Sequence, residues 1–394
     1  MRAGVVRACA AWACGVGLLG PVGAASAQPE TDAPRVVLDR ELRPIRGRIV
    51  ALNTESLTIR EESGLQRTMP RGEVLAILPE RAGRVAAGPG EQRPMSRLHL
   101  VDGQVLPGSL SPGDEGEAVR WESALAGPVR VALEDIAAVV LGAGPTPERP
   151  STLDVVRLQN GDVLEGFVAG VGSMVRVERD GRVGEVPVSR VASIALANPA
   201  RVPEGVTLWF HDGTVLGARD VTIGEGVLRA TPTLGSMALR VDARDLRAAL
   251  LDPGAVRPLS GIPWTMPAQT GGRRWTPPPI VTEAYTAALF AGDIELPGPM
   301  RVEWTLPAGA ALLACEAELP ESSRVWGDCV LIVEVDGREL VRRRLHGDDP
   351  RADLRLDFGA PVAAGSRLRV TLDPGHRGSV QDRVVLRRPL VLVR

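Results

Sequence analysis

Leu98-His99-Leu100-Val101-Asp102-Gly103 recurs as Val156-Arg157-Leu158-Gln159-Asn160-Gly161 and again as Leu208-Trp209-Phe210-His211-Asp212-Gly213. In each copy two apolar residues stand two and four positions before an Asp-Gly or Asn-Gly dipeptide. Alternation with period two places those side chains on one face of a strand, and the dipeptide supplies the positive φ that a tight hairpin turn requires. A second glycine follows each turn, at Gly108, Gly166 and Gly217, where the outgoing strand is expected to bend. A second hairpin comes next, as in Ala118-Val119-Arg120-Trp121 with Val129-Arg130-Val131. Each unit closes on an apolar pair three apart: Ile136 and Val139, Val191 and Ile194, Leu246 and Ala249.

A degenerate copy precedes these. Val36 and Leu38 lead to Arg40-Glu41, Gly47 takes the bending position, and Val74 with Ile77 close the unit. The period is about 50 residues, a spacing typical of arrays and propellers. Four copies are expected, at 35–80, 95–142, 152–198 and 204–252, with spacers at Gly88-Pro89-Gly90 and Gly144-Pro145-Thr146-Pro147. The order of sharp hairpin, bent strand, second hairpin and closing strand resembles Sm-like and SH3-like small β-barrels. A four-bladed propeller is the rival, but it asks for uniform copies and these spacers differ in length. Small barrels or β-meanders in a row are the expectation.

Residues 253–274 read as a Pro-rich linker, since Pro258, Pro263 and Pro267, with Pro277-Pro278-Pro279 just beyond, prevent continuous regular structure. Trp264 and Trp275 are expected to pack onto a neighbouring domain. Beyond it, Cys329-Val330-Leu331-Ile332-Val333-Glu334-Val335 runs into the turn Asp336-Gly337, then Leu340–Leu345, an acidic loop and Leu368–Leu372. A glycine-rich loop, Asp373-Pro374-Gly375-His376-Arg377-Gly378-Ser379-Val380-Gln381-Asp382-Arg383, follows. This order resembles the C-terminal half of NPCBM-type modules (novel putative carbohydrate-binding modules), which implies a galactose-binding-like jelly-roll β-sandwich over 275–394. Asp382 matches an acidic residue that the family commonly carries near its final strand. Val385 and Leu386 stand where the family usually has a tryptophan, and Ala291-Gly292-Asp293-Ile294 where it has a glycine-histidine signature. The whole layout resembles exported proteins of planctomycete-type bacteria. The expected fold class is therefore all-β: tandem small β-barrel or β-meander repeats followed by a jelly-roll β-sandwich.

The first 27 residues read as a cleaved signal peptide. Arg2 and Arg7 give the positive start, apolar and small residues run from Ala8 to Val22, and Ala25-Ser26-Ala27 ends the segment with small residues. No later segment is long and apolar enough to span a bilayer, so the expected location is exported, in the periplasm or on the cell surface. Composition agrees: 46 basic residues, all arginine, balance 48 acidic ones, and Gly 44 and Pro 33 punctuate many short strands. A net charge of −2 provides no long-range pull toward nucleic acid. Cys315 and Cys329 are the cysteines beyond the signal segment, and an even pair in an oxidising compartment is expected to form one disulfide.

Parts for catalysis are missing. His99, His211, His346 and His376 show no metal-ligand spacing, and neither a Gly-x-Ser-x-Gly elbow nor a phosphate loop occurs. The candidate ligand loop is Asp373–Arg383. Asp373 and Asp382 with nearby carbonyls are oxygen donors suited to Ca²⁺; Gln381, Asp382 and Arg383 alternatively hydrogen-bond sugar hydroxyls beside a Trp326 stacking face. A purely structural reading has Asp382 capping loop amides and Arg383 pairing with a carboxylate. Asp348, Asp349 and Asp353 make a second acidic group. The expected function is non-catalytic binding at the cell envelope, with a protein or a polysaccharide as partner. The alternative is a dedicated carbohydrate-binding protein, and aromatic residues at only 3% lean away from it.

Overall fold

The structure, a computed structural model, describes residues 34–79, 96–111, 116–142, 144, 146–150, 152–234, 238–267, 277–281 and 292–394. The signal segment, the spacer Gly88–Gly90, Trp275 and Ala291 lie outside the described residues.

The described chain is all-β, and its first twenty strands fall into four groups of five. The first group is β1 (Arg35–Asp39), β2 (Pro44–Leu52), β3 (Ser56–Arg60), β4 (Gln66–Pro70) and β5 (Val74–Pro79). The second is β6 (Ser96–Leu100), β7 (Val105–Leu110), β8 (Ala118–Ser123), β9 (Gly127–Ala132) and β10 (Ile136–Val140). The third is β11 (Asp154–Leu158), β12 (Val163–Val171), β13 (Met174–Arg179), β14 (Arg182–Pro187) and β15 (Val191–Ala195). The fourth is β16 (Val206–Phe210), β17 (Val215–Gly224), β18 (Val227–Pro232), β19 (Leu239–Asp242) and β20 (Leu246–Leu250).

Within a group, strands one to four form an antiparallel meander and strand five returns beside strand one, as in β11–β15. The second strand pairs with the first along one half and with the third along the other, so it must bend sharply. At Gly166 an added Cβ would come within 2.6 Å of the Glu178 carbonyl, and at Gly108 it would strike that of Glu122. Only glycine fits a backbone that approaches its neighbour so closely. A 3-10 turn precedes the last strand at Arg71–Glu73, Leu133–Asp135 and Val188–Arg190.

The groups are not arranged in a row. Strand five of one group pairs with strand five of another: β5 with β20, and β10 with β15. The first group thus joins the fourth and the second joins the third, with a bridge from β17 to β7 between the two pairs. Such side-by-side strand pairing also differs from a ring of propeller blades. One apolar core runs through all four groups, including Ile77, Trp121, Val139, Ile194 and Leu208.

The remaining strands build two facing sheets. They are β21 (Val256–Pro258), β22 (Trp264–Thr265), β23 (Ile280–Val281), β24 (Ile294–Pro297), β25 (Met300–Thr305), β26 (Ala310–Glu318), β27 (Asp328–Val335), β28 (Arg338–His346), β29 (Arg351–Asp357), β30 (Arg367–Pro374) and β31 (Arg383–Val393). One sheet runs β23-β24-β31-β26-β29 and the other β22-β25-β30-β27-β28, with Trp304, Leu313, Leu331, Val370 and Val391 buried between them. The Pro-rich stretch is part of this architecture: β21 pairs with β31, β22 pairs with β25, and Trp264 packs against the sandwich core. Proline breaks the strands into short pieces without preventing them from pairing at sheet edges.

The outer face of the β31–β26 sheet rests on the first and fourth groups. Val36, Leu38, Leu75, Trp209 and Leu250 meet Leu312, Leu390 and Leu392 in a continuous buried cluster. Polar ties frame it, from Arg388 to the Pro79 carbonyl (3.1 Å) and from Arg355 to the Glu41 carbonyl (2.9 Å).

Candidate functional site

Two loops meet at one end of the sandwich. The first joins β26 to β27 and carries Val325, Trp326 and Gly327; the second joins β30 to β31 and carries His376, Arg377, Val380 and Gln381. An Arg377 guanidinium NH donates to the Val325 carbonyl at 3.0 Å, and a Cβ on Gly327 would lie 3.0 Å from the Gln381 carbonyl. Trp326 and Gln381 therefore belong to the same apex. Trp326 is 58% exposed, with Val325 and Val380 exposed as well. An indole left in water at such cost in apolar surface is the kind of feature that marks a contact site.

Asp328, which the sequence reading passed over, holds this apex in place. It is 1% exposed and accepts two parallel hydrogen bonds from Arg344, Nε to Oδ1 at 2.7 Å and NH2 to Oδ2 at 2.8 Å. The His376 N–H adds a third at 2.9 Å, and the Asp328 carbonyl accepts the Gly375 N–H at 2.6 Å. The paired guanidinium, with the backbone N–H, holds the Asp328 carboxyl down at about 2. The loop is thus tied to the first residue of β27 by charge-assisted bonds. The signal for it was the Gly-Asp-Cys sequence opening a strand, which reads as a turn until Arg344 is known to lie opposite.

Asp382 points inward as well. It is 2% exposed, its carbonyl accepts the Gly298 N–H at 2.6 Å, and its Oδ1 lies 3.4 Å from the Asp328 N–H. This placement makes it a positioning residue, with no side-chain surface for a ligand. Arg383 forms an ion pair with Glu295. Asp373 is exposed at the end of β30, opposite Val330, and Asp349 pairs with Arg343 at 2.5 Å. Among the described residues no three His, Cys, Asp or Glu side chains gather as a metal site. Of the five residues expected to contact ligand, the structure buries Asp382 and leaves Trp326, Gln381, Asp373 and Arg383 exposed, Arg383 being held by Glu295 and Trp326 and Gln381 lying together at the apex.

The expected disulfide is not formed. Cys315 and Cys329 are free thiols. Cys315 lies on β26 opposite Leu354, in one sheet, and Cys329 on β27 opposite Leu345, in the other. Both strands are apolar runs, and alternation alone does not say which sheet each joins. Burial, reinforced by the nearby carboxylates of Glu316 and Asp353 for Cys315 and of Asp382 and Asp328 for Cys329, pushes each thiol up to about 12.

No family model matches the chain, and no curated protein matches it. Among solved structures, the CBM51 module of a Clostridium perfringens GH95 protein in complex with methyl-galactose is similar over 25% of this chain and 69% of that one, at 10% identity and a TM-score of 0.23. The CBM51-2 and INT domains of Clostridium perfringens ZmpB are similar over 50% of this chain and 45% of that one, at 11% identity and a TM-score of 0.27. An exo-β-1,3-galactanase from Phanerochaete chrysosporium with galactose is similar over 89% of this chain and 69% of that one, at 9% identity and 0.21. At these scores the likenesses assign neither ligand nor activity. Among the described residues no helix is long and apolar enough to cross a membrane.

Proposed function

We propose that this chain is an exported, non-catalytic binding protein of the cell envelope, contacting a glycan through the apex of its C-terminal sandwich and proteins through its four strand groups. The observation that carries this reading is Trp326. Among the described residues it is the one tryptophan with an exposed side chain, and the loops around it are fixed from below by Asp328 and Asp382. A sugar presents C–H faces that lie well on an indole and hydroxyls that suit Gln381, His376 and Arg377 beside it. Fixing the loops beforehand lowers the ordering cost of binding. The strand order of the sandwich supports an NPCBM-like module. The bent second strand and the 3-10 turn before strand five support an Sm-like or SH3-like reading of the groups, with residues 1–27 acting as the export signal.

Glycan-array screening of the full chain tests the apex. The expected result is a polysaccharide or oligosaccharide hit that Trp326→Ala weakens by about tenfold or more, as for an aromatic anchor, and that Gln381→Ala weakens less. An array without hits, or a hit indifferent to Trp326→Ala, would remove the glycan contact from the proposal.

A further inference from the structure

The two paired bodies close the same junction in different ways. Arg71 and Leu133 occupy matched places: each opens the 3-10 turn of its group, and each donates its N–H to the carbonyl of a glutamate, Glu55 at 2.8 Å and Glu117 at 2.9 Å. In the first body Arg71 reaches across to β17, donating to the Val221 carbonyl at 2.8 Å and standing 3.7 Å from Asp220 Oδ1. Its side chain is 17% exposed, so the arginine fills the junction.

In the second body Leu133 is too short to do this. What remains is an open groove of about 600 Å³ between the second and third groups, reaching Phe167–Ala169 just past the bend of β12. Val168 and Leu196 lie at its base, Leu153 is 50% exposed beside it, and Phe167 is 64% exposed. The residue that follows the bending glycine is Arg48, Ser109 or Ala218 in the other groups. Two exposed carboxylates, Glu117 and Glu134, stand at the rim, while Asp154 is committed to the N–H groups of Val168 and Ala197, both at 2.8 Å. Apolar side chains left in water beside an acidic rim suit a cationic, partly apolar occupant and disfavour phosphates.

We propose that this groove docks an extended segment of a partner protein that carries an arginine beside an apolar side chain. The apolar residue covers Phe167 and Leu153, and the guanidinium takes the place that Arg71 fills in the first body. Arginine suits the task because its fork bonds a carbonyl and a carboxylate together while its stem packs on apolar surface. This proposal rests on the reading of the strand groups as protein-contact modules.

Selection of phage-displayed random peptides on the immobilised full chain tests it, followed by titration of the enriched peptides labelled with fluorescein. The expected peptides share an arginine next to Leu, Ile, Val or Phe. Phe167→Ser, which installs the side chain of Ser109, should weaken them by about tenfold or more. Leu133→Arg, which supplies the missing guanidinium from within, should do the same, and Leu65→Ser, on an exposed apolar residue of the first group, should change nothing. Circular dichroism of each variant guards against misfolding. An empty selection, or a consensus without arginine, overturns the proposal. Peptides that bind both groove variants unchanged also overturn it, while leaving protein contact elsewhere on the strand groups standing. Self-association abolished by Phe167→Ser would make a second copy the occupant and overturn the partner segment.

Discussion

Val139 and Ile194 stand directly opposite each other across the antiparallel pair β10–β15. They are also counterparts, since each is the second apolar residue of the pair that closes its group. Ile77 and Ala249, the counterparts in the other two groups, face each other across β5–β20 in the same way. A residue meets its own counterpart only on a local two-fold axis, as in the self-complementary interface of a symmetric dimer. Tandem copies have thus been assembled twice by one rule, first with fourth and second with third.

The axis is therefore a place where two groups depend on each other. Val139 and Ile194 are both fully buried, and truncation of either leaves a cavity. Val139→Ala should cost about 1–3 kcal/mol and Ile194→Ala about 2–4 kcal/mol. Because the two side chains touch, the double variant should depart from additivity by at least about 0.5 kcal/mol. Chemical denaturation of the four proteins of the cycle measures this, and strict additivity would separate the two groups energetically.

The sandwich should unfold together with the first and fourth groups. Leu312, Leu390 and Leu392 are buried against Val36, Leu75 and Trp209, and Arg388 spans the seam to Pro79. A charge placed there has no partner, so Leu312→Asp should cost several kcal/mol at the seam. Calorimetry is expected to show one main transition for the parent chain and two separated transitions for the variant. Two transitions in the parent would mean that the seam transmits little.

Much of this fold is legible in the sequence because hairpin turns and alternation are local signals. The turns at Asp102-Gly103, Asn160-Gly161 and Asp212-Gly213 set strand edges, and Gly108 and Gly166 set the bends. The pairing of distant groups is another matter. It depends on the second face of each strand, and the clue was the lack of alternation in Val74-Leu75-Ala76-Ile77-Leu78 and Leu246-Arg247-Ala248-Ala249-Leu250, strands buried on both faces. At the apex, the sequence singles out Trp326 and Gln381 as candidates, and the structure brings their two loops together. Asp328 is not singled out, because its role exists only through Arg344, sixteen positions on across a hairpin. The cysteines fail for the same reason, since sheet membership is a long-range property.

Free thiols in opposite sheets make a simple chemical prediction. Cys329 is buried and Cys315 largely so, and both thiols are pushed up to about 12, so hardly any thiolate exists at neutral pH. Iodoacetamide should leave both residues unmodified in the folded protein and label both in guanidinium without reductant. Peptide mass spectrometry reads each site separately. A Cys315–Cys329 cross-linked peptide would contradict the strand assignment.

His99 should make the protein sensitive to mild acid. Burial, helped by the Arg97 charge, lowers its ring from 6.5 to about 4, and Nε2 lies 3.3 Å from Thr146 Oγ1. The unfolded chain takes up this proton below pH 6.5 while the folded chain does not until about 4, so stability falls as pH drops through that window. Urea midpoints measured from pH 7 to 4 should fall less steeply in His99→Gln. An identical slope in both proteins would assign the effect to other groups.

Asp328 sets a second, lower window. Its folded carboxyl is held down at about 2 against an ordinary 3.8, chiefly by the hydrogen bonds from Arg344. A depressed carboxylate stabilises the folded state fully above the unfolded value and loses that contribution as pH falls from about 4 toward 2. Asp328→Asn removes the charge and leaves Arg344 without its partner. Losing the pair should lower stability, and because the Arg344 side chain is 45% exposed the loss should be smaller than for an ion pair buried on both sides. The variant should also show a flatter acid limb between pH 4 and 2 and faster hydrogen exchange at Gly375 and His376, whose N–H groups bond to Asp328. Denaturant melts across that pH range, read together with exchange at those two amides, distinguish a tie that fixes the apex from a surface ion pair of no consequence. An unchanged acid limb with unchanged exchange would show the latter, and the apex would then need another source of rigidity.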